Sequence, residues 1–226
     1  SRELSDRTGG RVRIGSVRIA PFNEVELYDV DISDPQGAPV MKAESLGGGI
    51  SLGRLIFDGR VVITFAEVIG LDAHITQAAP DAPLNIQFLI DAFKSKEKKK
   101  PTRFDIVLNN VILRDCSVSF DKEWLPRRGD GRFDLAHMFV TDLSADLRLP
   151  VLKNDEVKVD LRRLTFRERS GLAVEKISGQ FHLTQGLLGV ENPVIEFPGT
   201  HIFPGNMSFE LNGWHDMGRQ LLARPL

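Results

Sequence analysis

Residues 23–33, NEVELYDVDIS, and residues 109–119, NNVILRDCSVS, carry the pattern that decides the fold. The two stretches align without gaps, and their Asn, Val, Leu, Asp and Ser residues coincide. In the first stretch Val25 and Leu27 alternate with charged residues, which predicts a strand with one buried and one wetted face. The same alternation occurs in Val12-Ile14, Val17-Ile19, Ile50-Leu52, Val61-Ile63-Phe65, Phe104-Ile106-Leu108, Val118-Phe120, Val157-Val159-Leu161 and Phe181-Leu183. The sequence therefore predicts a mainly β protein.

Length and composition exclude several classes of protein. The chain has 226 residues, of which 42% are apolar and 27% charged, with a formal net charge of −2. This apolar fraction is enough to build a sizeable core and excludes a disordered chain. The balanced charge argues against a nucleic-acid binder, because such proteins carry basic patches. The longest apolar run, residues 61–66, is far shorter than the roughly 20 residues of a membrane-spanning helix.

One stretch has the spacing of a helix. Residues 83–93 carry apolar side chains at positions 86, 89, 90 and 93, and Pro83 suits the first turn of a helix. The Lys-rich residues 94–101 that follow are typical of a solvated linker, with contact to lipid headgroups as the alternative. The sequence thus predicts one short α-helix followed by a linker.

The matching stretches on either side of this linker indicate an internal repeat. Residues 50–57 also align with residues 159–166, and residues 70–77 with residues 179–185, in the same order. We interpret these matches as a duplicated β unit whose second copy has an insertion within residues 121–156. The predicted organisation is a first β repeat unit (1–82), the helix and Lys-rich linker (83–101), a second β repeat unit with its insertion (102–185) and the start of a further β stretch (186–226). Stacked units predict an elongated, solenoid-type assembly, and a compact sandwich is the alternative.

Several short patterns were weighed as sites of chemistry. Residues 49–53, GISLG, fit the G-x-S-x-G pattern of hydrolases, but Ser51 is flanked by strand patterns, where the chemistry needs a strand-to-helix turn. Gly47–Gly49 lacks the lysine of a phosphate-binding loop, and Asp34 stands where a calcium loop needs glycine. Strands and turns explain these patterns better than sites do.

Metal and thiol chemistry have no support in the sequence either. The histidines lie far apart in the chain, so they form no local ligand motif. They are His74, His137, His182, His201 and His215. The single Cys116 lies in an alternating stretch and is expected to be buried. We therefore predict a protein that is not an enzyme and has no catalytic residues, no metal and no cofactor.

With repeat, helix and linker in place, the chain resembles the AsmA-like family of Gram-negative envelope proteins. Within that family it is most similar to the TamB-type translocation and assembly modules, near their membrane-anchored end. The likeness rests on VELYDVDISDPQGAPVMKAESL (25–46), ISLGRLIFDGRVVITFAEVIGLDAHI (50–75) and PLNIQFLIDAF (83–93). It extends over residues 12–120 and more loosely to residue 185.

The resemblance implies a fold, a location and a function. The fold is an elongated, curved antiparallel sheet folded into an apolar groove. The parent protein is anchored in the inner membrane and reaches across the periplasm, and we expect its anchor upstream of Ser1. The implied function is to conduct phospholipid between the two membranes, to assist outer-membrane protein assembly with a β-barrel partner, or both.

Physical reasoning on the strands leads to the same kind of ligand. A helix of about 10 residues is only about 15 Å long and cannot cover so many apolar strand faces. The sheet must curl on itself, face a second sheet or hold acyl chains, whose burial needs no polar site. The residues predicted to line a lipid groove, with a closed core as the alternative, are Val25, Leu27, Ile50, Leu52, Val61, Ile63, Phe65, Ile106, Leu108, Val118, Phe120, Val159 and Leu161. A second hypothesis is a scaffold that docks a partner β-barrel through an exposed strand edge.

Overall fold

A computed structural model of the chain describes residues 5, 9–20, 23–51, 57, 61–93, 104–129, 131–152, 156–184 and 186–210. In this part of the chain twelve strands form one sheet, accompanied by a short helix, which confirms the mainly β fold. The strands are β1 (Arg11–Ala20), β2 (Glu24–Ser33), β3 (Pro39–Ile50), β4 (Val61–Ile69), β5 (Asp72–Gln77), β6 (Phe104–Lys122), β7 (His137–Leu152), β8 (Glu156–Glu168), β9 (Ala173–Thr184), β10 (Leu187–Phe197), β11 (Thr200–Ile202) and β12 (Met207–Glu210). The helix is α1 (Gln87–Phe93).

The sheet consists of two meanders joined at one parallel junction. Its order is β1-β2-β3-β4-β6-β7-β8-β9-β10-β11, with β12 beside β10. Strands β4 and β5 follow each other in one line, since both pair with β3 and both pair with β6. The pairing of β6 with β4 and β5 is parallel, whereas every other pairing between the described strands is antiparallel. Parallel neighbours need a crossover connection, and α1 lies in the segment between β5 and β6.

Helix α1 begins later than the sequence pattern predicts. Residues 83–86 were expected to be helical, but Leu84 forms an isolated bridge with Gln77. The next residue, Asn85, docks on β5: its N–H donates to the carbonyl of Thr76 at 3.0 Å, and its side-chain oxygen accepts from the N–H of Thr76 at 3.0 Å. These bonds hold residues 84–85 as an extension of the sheet, so the helix begins only at Gln87.

A line of left-handed residues crosses the middle of the sheet. Asp29 in β2, Gly70 between β4 and β5, and Asp115 in β6 have φ angles of 53°, 62° and 52°. The register places Asp29 opposite Glu44, Glu44 opposite Gly70, and Gly70 opposite Asp115. Asp142 continues the line in β7 with a φ of 51°. Asp tolerates this conformation better than most residues, and Gly adopts it freely.

The backbone conformations of aligned residues in the two predicted repeat copies agree at one position and differ at another. Asp29 and Asp115 occupy the same position of the 23–33 and 109–119 alignment, and both are left-handed. Gly70 and Gly179, also aligned, have φ angles of 62° and 153°. The duplication itself stays a prediction, since common strand geometry can arise without it.

Apolar residues pair in rows that run across the strands on both sides of this line. Row 1 consists of Val17, Leu27, Leu46, Val68, Leu113, Ala145, Leu164, Ile177, Ile195 and Ile202, one from each strand of the sheet order. Row 2 lies further from the line and consists of Ile19, Val25, Gly48, Ala66, Val111, Leu147, Leu161 and Gly179. Row 3, beyond the line, consists of Val12, Ile32, Met41, Ala73, Val118, Val140 and Glu168. Directly paired residues point to the same face of a sheet, so each row is one continuous ridge.

The buried core is small compared with these rows. The buried apolar residues are Val12, Val30, Val40, Ala43, Ala73, Leu89, Cys116, Ala145, Val174 and Val190. No phenylalanine or isoleucine is buried among the side chains that the structure describes. Helix α1 contributes Leu89, and the ring of its Phe88 lies against Gly10, at one end of β1. Most of the apolar surface of the sheet is therefore only half covered.

Candidate functional site

Rows 1 and 2 together form a broad apolar surface, which we call the apolar stripe. Their residues lie two positions apart in most strands, as Val17 and Ile19 do in β1, so both rows share one face of the sheet. Row 1 crosses ten strands in the sheet order, and nine steps of about 4.8 Å make it roughly 43 Å long. At the β1 edge Val17 and Ile19 are 58% and 79% exposed, and at the other edge Ile202 is 41% exposed. The stripe therefore reaches both edges of the sheet without being closed off.

The opposite face of the same strands is charged. The residues adjacent to row 1 form their own paired row: Arg18, Glu26, Gly47, Glu67, Ile112, Asp146 and Arg163. Arg18 and Glu26 form an ion pair at 2.7 Å, and Arg162 reaches Asp146 at 3.3 Å. The charged face of the sheet can stay in contact with water. The apolar stripe is therefore the surface that would be stabilised by a covering partner or ligand.

Four of the residues predicted to line a groove lie in the three rows, and the other described ones, Phe65 among them, lie outside these rows. Leu27 lies in row 1, Val25 and Leu161 lie in row 2, and Val118 lies in row 3. Phe120 pairs with Ile75 and Met138, and Val159 pairs with Phe181. In the backbone register Ile63 pairs with Ile50 and Ile106, Val61 pairs with Phe104, and Leu108 lies in β6. Leu52 lies outside the described residues. Whether lipid contacts any of these residues stays a prediction.

Sequence reasoning missed most of row 1. It named Leu27 but not Leu46, Val68, Leu113, Ala145, Leu164, Ile177 or Ile195. In several of these strands the alternation of apolar and polar residues slips by one residue near the middle of the strand. In β2, for example, the slip lies between Leu27 and Val30. The sequence did contain a signal for this change of register: in both aligned copies an Asp lies where the alternation of apolar residues slips.

The glycine run in β3 has a packing role. Gly49 pairs with Phe65, and a Cβ atom on Gly49 would lie 2.5 Å from ring carbon Cδ1 of Phe65. Real Cβ atoms do not approach that closely, so the phenylalanine ring occupies the space that glycine leaves open. Gly47–Gly49 thus lies within β3, whereas the sequence placed it before a strand, and Ser51 directly follows β3. Residues 52 and 53, which complete the G-x-S-x-G pattern, lie outside the described part.

A second feature, which we call the basic pocket, lies at one end of the sheet. It is a cavity of about 230 Å³ at the end of the sheet where β6 and β8 finish and β7 begins. It is lined by Arg127, Arg128, Gly131, Arg132, Asp134, His137, Glu168, Arg169 and Ser170. Glu168 is also the last member of row 3, since it pairs directly with Val140. The pocket and row 3 are therefore continuous.

Buried polar groups build the wall of the basic pocket. His137 is 4% exposed; its Nδ1 contacts the carboxylate of Asp121, and its Nε2 lies 3.0 Å from the carbonyl of Leu125. Glu168 is 5% exposed and accepts hydrogen bonds from the N–H of Ser170 at 2.7 Å and of Phe139 at 3.2 Å. These bonds fix the loop that follows β6 and the turn that follows β8.

The acidic groups of this wall have lowered pKa values. Burial alone would raise the pKa of Asp121, but its hydrogen bonds with His137 and Arg127 outweigh burial and lower the pKa. Burial would likewise raise the pKa of Glu168, and the hydrogen bonds from Ser170 and Phe139 lower it overall. The pKa of Asp134 is lowered by the N–H groups of Ala136 and Arg128, again against the effect of burial. All three groups therefore carry negative charge at neutral pH that the fold itself stabilises.

Ser119, His74 and Asp72 lie together on β5 and β6 in an arrangement that resembles a catalytic triad. Ser119 Oγ lies 2.8 Å from Nδ1 of His74, and Nε2 of His74 lies 3.5 Å from Asp72. The order serine, histidine, aspartate is that of hydrolases, but the side chain of His74 is 55% exposed on the sheet surface. Neither the basic pocket nor the shallower cavity between β7, β8 and β9 is lined by these three residues. The group lacks the enclosed setting that such chemistry uses.

Cys116 is buried at 1% exposure, as expected, and its thiol lies 3.3 Å from the carbonyl of Arg114. Among the described residues no cluster of three or more His, Cys, Asp or Glu side chains could hold a metal ion. No helix in the described ranges is long and apolar enough to cross a membrane.

The comparisons with known proteins add no identity. No family model matches the chain, and no curated protein matches it either.

Proposed function

We propose that this chain binds acyl-chain lipid on the apolar stripe, as a periplasmic segment of an AsmA/TamB-like envelope-biogenesis protein. In this role it conducts phospholipid between inner and outer membrane, assists the assembly of outer-membrane proteins, or both. The observation that carries the proposal is the stripe itself: ten strands contribute one paired apolar residue each to row 1, and all of these side chains except Ala145 are partly exposed.

The energetics favour an acyl chain as the cover. Burial of a methylene contributes about 0.8 kcal/mol, and an open face covers about half of each group. An acyl chain with roughly 15 methylenes along the stripe is then stabilised by about 6 kcal/mol. The stripe is roughly 43 Å long, about twice the length of such a chain, so a lipid can shift along it without losing contact.

The stripe has an internal control for its test. Val68 belongs to row 1, whereas the adjacent Glu67 belongs to the charged row on the opposite face of β4. A photo-crosslinking amino acid placed at position 68 should capture phospholipid in cells, and the same group at position 67 should not. Val68→Glu should abolish co-purification of lipid in native mass spectra. Equal crosslinking at both positions, or none at position 68, would refute acyl-chain binding on the stripe.

One observation favours the second candidate, a docking edge for a β-barrel partner. Among the described strands β1 pairs only with β2, and its Val17 and Ile19 are exposed. An unpaired strand edge with apolar side chains can accept a strand from another protein. Crosslinks from position 19 to an outer-membrane barrel protein, with no lipid captured at position 68, would favour this function over lipid binding.

A further inference from the structure

We infer that the basic pocket binds the phosphodiester group of a phospholipid whose acyl chains lie against Val140 and Val118, the half-buried part of row 3 next to the pocket. This inference rests on the proposed function for its class of ligand, phospholipid, but it places this lipid beside the pocket and not on the apolar stripe. It assigns a role to the loop between β6 and β7, which the apolar stripe does not use.

The charges of the pocket favour an anion. Four arginines, at positions 127, 128, 132 and 169, line it, against the two carboxylates of Asp134 and Glu168. Both carboxylates already accept hydrogen bonds from backbone N–H groups, Asp134 from Ala136 at 3.0 Å and Glu168 from Ser170 at 2.7 Å. The pocket therefore has a net positive lining, and guanidinium groups bind phosphate with paired, charge-assisted hydrogen bonds.

One arginine is held in place by the fold. The Nη2 of Arg169 donates to the carbonyl of His137 at 3.1 Å, and His137 is itself buried against Asp121 and Leu125. A guanidinium carries five N–H donors, so this single bond leaves others to meet a ligand. Arg127 contacts Asp121, which ties the loop to the end of β6. The fold thus holds Arg169 and Arg127 in place at the wall of the pocket.

Size and continuity indicate which part of a lipid fits. A cavity of about 230 Å³ is smaller than the roughly 300–1,000 Å³ of pockets for drug-sized ligands. It has room for a phosphate and its immediate substituents, while the acyl chains must lie outside. Row 3 begins at the pocket, where Glu168 pairs with Val140 and Val140 pairs with Val118. No phenylalanine, tyrosine or tryptophan lines the pocket, and the imidazole of His137 is buried, so the lining offers little aromatic surface on which a nucleobase could stack, which disfavours a nucleotide.

The test compares three soluble probes on the whole chain. They are a short-chain phosphatidylglycerol below its micelle concentration, the matching diacylglycerol without phosphate, and inorganic phosphate, each titrated by calorimetry. The pocket variant is Arg128→Gln with Arg132→Gln. The control is Arg11→Gln with Arg13→Gln, which removes the same charge from exposed positions of β1. Circular dichroism checks that both variants keep the sheet.

The expected result is that the pocket variant binds phosphatidylglycerol at least about tenfold more weakly. Its affinity for diacylglycerol should stay the same, and the control should match the wild type for both probes. Inorganic phosphate should bind more weakly than phosphatidylglycerol, because it lacks the contacts with row 3.

Other outcomes separate the inference from the proposed function. If diacylglycerol binds and the pocket variant binds phosphatidylglycerol normally, the pocket inference is wrong and the lipid function stands. If inorganic phosphate binds through the arginines as tightly as phosphatidylglycerol, the pocket is a site for the free anion. If phosphate binds and neither lipid does, both the lipid assignment and the proposed function fail.

Discussion

The left-handed residue Asp115 offers the sharpest test of the fold, because ordinary strand preferences predict the opposite result. Asp115 lies in the middle of β6 with an exposed side chain and a φ of 52°. In ordinary strand positions valine is favoured over aspartate and glycine, over a range of about 1 kcal/mol. In the left-handed region a Cβ atom costs roughly 1–2 kcal/mol, and a β-branched side chain is the least tolerated.

We therefore expect Asp115→Val to lower the free energy of unfolding by about 1.5 kcal/mol. Asp115→Gly should stay within about 0.5 kcal/mol of the wild type, because relief of the left-handed conformation offsets the added freedom of the unfolded chain. With a urea dependence of about 2 kcal/mol per molar, the midpoint of Asp115→Val should fall by about 0.7 M.

Arg114 provides the matched control. It precedes Asp115 in β6, is exposed and does not have a positive φ. At this position the order should be the usual one, with Arg114→Val at least as stable as Arg114→Gly. Urea denaturation followed by tryptophan fluorescence measures all four variants. If Asp115→Val is as stable as the wild type, the line of left-handed residues does not hold the strands in the way described.

Two further predictions follow from the packing and the charges. Gly49→Ala should destabilise the protein by about 1–3 kcal/mol, because the new methyl group meets the ring of Phe65. In thermal unfolding, the additional substitution Phe65→Leu should restore part of this loss of stability. If Gly49→Ala has no effect, the packing of Phe65 against Gly49 is wrong. Glu168 has a pKa below its ordinary value of 4.5, so its contribution to stability is present above that pH and is lost as the pH falls through the lowered pKa. The thermal midpoint of the wild type should accordingly fall more between about pH 5 and pH 3 than that of Glu168→Gln, and equal losses would show that this carboxylate does not stabilise the wall of the pocket.

The sequence specified most of the strands in which alternation is unbroken; the exception is the expected stretch Ile50–Leu52, since β3 ends at Ile50 and Leu52 lies outside the described residues. The expected stretches in β1, β2, β4, β6, β8 and β9 all lie in strands of the structure. The pattern also indicated the helix, although the bonds of Asn85 with β5 delay its beginning. Local sequence suffices here because a period of two places every second side chain on the same face.

Two strands whose alternation slips, β7 and β10, were not recognised from the sequence. In β7 the apolar positions change register at Asp142, and in β10 they change at Asn192, with φ angles of 51° and 49°. A search for apolar residues at every second position finds only two short fragments in each of these segments, whereas the structure has one long strand in each. The left-handed residue explains the slip, but its conformation is visible only in the folded backbone.

The candidate site depended even more on tertiary structure. The sequence by itself determined that apolar residues alternate and that they outnumber what one helix can cover. Only the register of the sheet showed that Leu27, Leu46 and Leu113 fall in one row, because pairing across strands is not encoded within any single strand. The basic pocket required the ends of β6, β7 and β8 to meet, which brings Arg127 and Arg169 together from distant parts of the chain. Alternation sets which face of a strand is apolar, and the long-range hydrogen bonds of the sheet decide what those faces build together.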